Sequence, residues 1–151
     1  MKKLLILLIL LISTSGYACS CIYSEFGVKD YQRATYIVDG KITKIVADEK
    51  KLEKVITFKV RKTIKGNASE VMEIKTAFNS AACGLNVKEG DKWLLFVHEY
   101  NGHLNVGLCG KNVRYNKRKG ESSKQKRKKC DLRKSMVHQM KEFNKPSYNE
   151  Q

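Results

Sequence analysis

Two cysteines separated by one serine, Cys19-Ser20-Cys21, follow directly on an apolar leader, while the remaining cysteines, Cys83, Cys109 and Cys130, lie far downstream. Lys2 and Lys3 precede nine unbroken apolar residues, Leu4 to Ile12, and then a polar, small-residue stretch ending Gly16-Tyr17-Ala18. That layout is a secretory signal peptide, and it predicts removal of residues 1–18 with a mature start at Cys19. A membrane anchor is excluded by length, since a spanning helix takes roughly 20 apolar residues. A lipoprotein signal would also put Cys19 first, but it expects an aliphatic residue where Gly16 stands and a small one where Tyr17 stands. Export means an oxidising compartment, where five cysteines read as a disulfide framework with one left over. Whichever one is left over, the other four can pair in three ways. A structural zinc site needs two close cysteine pairs, and this chain has one.

The body between the cysteines alternates as strands do. A short helix is predicted within Ser24–Arg33, from Phe26, Val28 and Tyr31 with acidic Glu25 near its start. Strands follow over Ala34–Val46, Val55–Ile64, Glu70–Ala77, Asp91–Glu99 and Gly102–Leu108, separated by polar turns such as Lys65-Gly66-Asn67 and Tyr100-Asn101-Gly102. The first sets Tyr36, Val38 and Ile42 against Asp39, Lys41 and Thr43, with Gly40 where a strand bulges or bends. Trp93 to Val97 is apolar on both faces. Five strands with protected edges predict a mainly β fold, a small OB-type barrel over residues 19–110. Past Gly110 the composition changes, and residues 111–151 form a basic C-terminal segment. Lys117 to Lys129 has almost nothing to bury and reads as a solvated loop. Leu132, Met136, Met140 and Phe143 then recur at helical spacing, predicting a closing amphipathic helix stopped by Asn144 and Pro146.

Three places far apart in the chain resemble one family. Cys19-Ser20-Cys21 at the expected mature start, the loop Asn79-Ser80-Ala81-Ala82-Cys83-Gly84, and a last strand running into Cys109 resemble the netrin-like N-terminal domain of the tissue inhibitors of metalloproteinases. The resemblance implies a five-stranded netrin-like OB barrel with bridges Cys19–Cys83 and Cys21–Cys109. It leaves Cys130 unpaired or joined to a second copy, because its family partner near Tyr31 is absent. It also implies inhibition of an extracellular zinc metalloendopeptidase. The Cys19 α-amino nitrogen and carbonyl oxygen would chelate the protease zinc, Ser20 would enter the specificity pocket, and Ser80, Ala81, Ala82 and Cys83 would line the cleft. The only metal implied is the partner's zinc, and no cofactor of the chain's own is expected.

Charge supports a different reading. Between Lys111 and Lys134 stand twelve Lys or Arg against only Glu121 and Asp131, within a chain of net charge +15. Lys117, Arg118, Lys119, Lys124, Lys126, Arg127, Lys128 and Lys129 would attract sulfated or other anionic polymers. Tyr115 alone interleaves the run, so base stacking on single strands is disfavoured. No enzyme is expected: His98, His103 and His138 lack a metal-binding spacing, and Cys130 is the one thiol left for nucleophilic chemistry. Asn67-Ala68-Ser69 matches a glycosylation acceptor for a chain exported by a eukaryotic host.

Overall fold

The computed structural model describes residues 19–21 and 24–145, so the expected signal peptide at 1–18 lies outside the described residues. The elements are α1 (Val28–Arg33), β1 (Tyr36–Asp48), β2 (Glu53–Lys65), β3 (Val71–Ala77), β4 (Lys92–Tyr100), β5 (His103–Asn105), β6 (Val113–Arg114) and α2 (Ser123–Phe143). Strand order runs β1-β2-β3-β5-β4, and β4 pairs back onto β1, closing a five-stranded barrel with β3 and β5 parallel. This is the expected OB-type barrel. Closure depends on β1, whose residues 36–41 pair with β4 while most of its length pairs with β2. A register shift between Asp39 and Gly40 leaves Arg61 of β2 without a Cα partner. Such bulges sharpen the local bend that a small barrel needs. Only glycine fits at position 40, because a Cβ there would stand 2.2 Å from the Lys59 carbonyl oxygen.

The alternation in β4 divides the apolar residues between two cores. Trp93, Leu95 and Val97 point into the barrel with Val38, Ile42, Ile56, Phe58, Met72 and Ile74. Leu94 and Phe96 point outward and are covered by Tyr31 of α1, Ile37, Val113 and the Met136 and Met140 side chains of α2. The doubly apolar strand seen in the sequence is therefore a wall with helices on its outside.

Three expectations require correction. Lys124 to Lys129 is helical rather than looped, because α2 begins at Ser123 and runs 21 residues. Lys, Arg and Gln are good helix formers. The helix start is also capped reciprocally, as the Gln125 N–H donates to Ser122 Oγ at 3.2 Å and the Ser122 N–H to Gln125 Oε1 at 2.8 Å. Leu132 is 51% exposed, and Val137 packs with Met136, Met140 and Phe143 in its place. The last barrel strand ends at Asn105 instead of continuing to Leu108, and the two-residue β6, too short to show alternation, pairs with β4.

Candidate functional site

The loop between β3 and β4 is built to present Cys83. The Ala82 N–H donates to Asn79 Oδ1 (2.9 Å), and the Gly84 N–H to the Asn79 carbonyl (2.8 Å), folding residues 79–84 into a tight knuckle. Cys83 sits at its tip in the left-handed region at φ 63°, a conformation that costs free energy for a residue with a side chain. Gly84 is buried, and a Cβ there would lie 2.0 Å from the Ala77 carbonyl oxygen, which accounts for the Cys-Gly order. The Leu108 N–H donates to the Cys83 carbonyl at 2.8 Å, so the segment leaving β5 is tied to the same knuckle and carries Cys109 with it.

Onto this edge the N-terminal segment is clamped twice. Cys19 is bridged to Cys83 and Cys21 to Cys109, with Cα separations of 5.3 and 5.2 Å. The two bridges lie side by side, with Cys19 Sγ 3.9 Å from Cys109 Sγ. The sulfurs of Cys19, Cys83 and Cys109 cluster within 4.8 Å, but each belongs to a disulfide and none is a thiolate, so the cluster is no metal site. Between the bridges Ser20 is exposed, as are Ser80, Ala81, Ala82 and Cys83 beside it. A depression of about 420 Å³ adjoins the clamp, lined among others by Asp30, Arg33, His98 and Leu108. The structure thus brings together all seven residues expected at this site: Cys19, Ser20, Cys21, Ser80, Ala81, Ala82 and Cys83. Two disulfides are what an oxidising compartment sustains.

The basic segment divides in two. Arg118 is not free for a polymer: its guanidinium binds both carboxylate oxygens of Asp91 and the Asn86 carbonyl. Lys129 pairs with Glu121 at 2.7 Å. Lys117, Lys119, Lys124, Lys126, Arg127 and Lys128 are exposed, and their side chains have no hydrogen bond or ion pair among the described residues. Burial alone would raise the Asp91 carboxyl, but Arg118, Asn116 and the Lys88 N–H outweigh it and hold the group below the usual carboxylate range. Cys130, unpaired and half-buried on α2, has its S–H directed at the Tyr115 carbonyl at 3.3 Å.

Sequence reasoning missed Asp39. The alternation in β1 put it on the solvent face, yet it is fully buried, because Tyr115 and α2 cover that side of the barrel. Its Oδ1 accepts from Arg61 Nε (3.0 Å) and Nη2 (2.6 Å) and from the Tyr115 hydroxyl (2.9 Å), and its Oδ2 accepts from Arg133. The Arg133 guanidinium also lies over the Tyr115 ring, 4.5 Å from its centre. A signal was available in Leu94 and Phe96, since an apolar outer face on β4 requires a cover that reaches β1 as well.

The fold and this edge define a class, the OB-type barrel with a doubly disulfide-clamped N-terminal segment. No protein-family model matches the chain, and no curated protein matches it either.

Proposed function

We propose that this protein is secreted and inhibits an extracellular zinc metalloendopeptidase, presenting Cys19 as the residue that meets the protease metal. The observation that carries the reading is the double clamp: two disulfides hold Cys19 and Cys21 on a rigid edge while Ser20 between them stays exposed. A catalytic zinc keeps one coordination position open for water. After cleavage before Cys19, a neutral α-amine and the Cys19 carbonyl oxygen would fill that position as a chelate. An α-amine has an ordinary pKa of roughly 8, so losing its proton costs little at neutral pH. A segment held in place beforehand loses little entropy on binding. The knuckle at Ser80 to Cys83 would rest against the cleft beside Ser20.

One added residue tests the reading. An alanine before Cys19 turns the amine into an amide whose lone pair is delocalised, and inhibition of secreted metalloendopeptidases is expected to vanish while both disulfides persist in non-reducing peptide maps. Inhibition that survives the extension places the contact elsewhere, and an intact mass showing an acylated Cys19 removes the mechanism.

A second reading has its own observation, the unpartnered cations on α2 and the segment before it. These would bind sulfated polysaccharide by releasing its counterions. Replacing Lys124, Lys126, Arg127 and Lys128 by Gln is expected to lower the salt at which the protein leaves a heparin column, and an unchanged elution position rejects it.

A further inference from the structure

We infer that the outer face of the barrel, where β2, β1 and β4 run side by side, holds a discrete site for a sulfate or phosphate monoester carried on a ring-sized body. Lys41 is the Cα partner of Lys59 on one side and of Lys92 on the other, so three lysines stand in a row across three adjacent strands. All three point outward, since their neighbours Ile42, Phe58 and Trp93 fill the barrel interior. All three are exposed and none has a hydrogen bond or ion pair through its side chain among the described residues.

Like charges directly opposite one another destabilise a sheet. Lysine on a strand often serves to block an exposed edge, but β1 has a paired strand on both sides at Lys41, so edge protection does not explain this ladder. Local rules broken without a structural return mark functional positions.

The surroundings supply the rest of a site. The three lysines border a cavity of about 360 Å³ together with Gly40, Val60, Arg61 and Tyr115. That volume falls within the range of small-molecule pockets. The Tyr115 ring gives the cavity an apolar surface, fixed by its hydroxyl on Asp39 and by Arg133 over its face. Arg61 binds Asp39 through Nε and Nη2 while most of its side chain stays exposed at the border of the cavity. Among the described residues Asp39 is the one carboxylate bound to residues lining the cavity, and two arginines already share it. Three lysines and Arg61 bordering one cavity beside the Tyr115 ring fit a doubly charged or strongly acidic oxyanion whose carrier lies against Tyr115. This site involves neither the Cys19 edge nor the exposed cations of α2.

Calorimetric titration of the purified, oxidised protein tests it in three arms: a sulfated disaccharide, the same disaccharide without sulfate, and glucose 6-phosphate. At least one ester is expected to bind and the unsulfated sugar not, and the better ester identifies the natural source of the oxyanion. Lys41→Gln with Lys59→Gln and Lys92→Gln is expected to weaken that ester at least tenfold without lowering Tm, because the triple change relieves repulsion. Changing Lys124, Lys126 and Lys128 to Gln is expected to leave the affinity within twofold. Failure of both esters to bind, equal binding of the uncharged sugar, or equal loss in the α2 variant would each overturn the site. Ester binding by a protein that inhibits no protease leaves this site standing while rejecting the inhibitor reading.

Discussion

Asp39 shows how one buried carboxylate can tie a basic segment to a barrel. Three donors from three parts of the chain, Arg61 of β2, Tyr115 beyond β6 and Arg133 of α2, converge on it with no solvent access. Arg61 is 65% exposed and keeps its hydration, but Arg133 is only 20% exposed, and leaving such a charge uncompensated costs up to about 3–5 kcal/mol. Asp39→Ala is therefore expected to lower the unfolding free energy from urea titration by up to that amount with the m-value unchanged, and to loosen α2 as seen in amide exchange. Tyr115 adds a pH dependence. Burial, followed by the negative charge of Asp39, pushes its phenol up to about 12. An unfolded tyrosine titrates near 10. Because the folded value lies above the unfolded one, this contribution to stability is fully present below about pH 10 and is lost as pH rises toward 12. Tm measured across that interval is expected to fall less steeply in Tyr115→Phe than in the wild type.

At the scale of elements, α2 lacks acidic residues in its first turn, where the helix dipole favours them, and places lysines there instead. Glu121, just ahead of the Ser122 cap, compensates. Arg114, Lys129 and the Arg118 N–H all donate to it and hold its carboxyl down at about 2. Its folded value is below the unfolded one near 4.5, so its stabilisation is present above pH 4.5 and is lost as pH falls toward 2. Glu121→Gln is expected to flatten that acid limb in a circular-dichroism titration, and Ser122→Ala to cost about 1 kcal/mol through the lost cap. The basic run looked like a solvated loop because its neutralising partners, Asp39, Asp91 and Glu121, lie outside it or singly within it. A charge count along the sequence cannot register pairs formed across tens of residues. The barrel strands were legible for the opposite reason, since Ile56, Phe58, Met72 and Ile74 report burial by period alone. Leu132 misled because one helical stripe of apolar residues can rotate by a position and use Val137 instead.

For the whole molecule, the two bridges close loops of different span onto one edge, with sequence separations of 64 and 88. Neither is needed to define the barrel, whose strands pair and whose two cores fill without them. Each acts chiefly on the unfolded chain by shortening its reach, and removal from a small secreted domain costs about 2–5 kcal/mol. Stability and function should then respond differently to the two. Cys21→Ser with Cys109→Ser removes the longer closure but leaves Cys19 held on the Cys83 knuckle. Cys19→Ser with Cys83→Ser releases the first residue itself. Both double variants are expected to keep the far-ultraviolet spectrum of the barrel and to lose stability by similar amounts. If Cys19 meets the protease zinc, inhibition should survive in part in the first variant and disappear in the second, assayed well below either Tm. Equal inhibition by the two variants would show that the clamped edge serves stability alone.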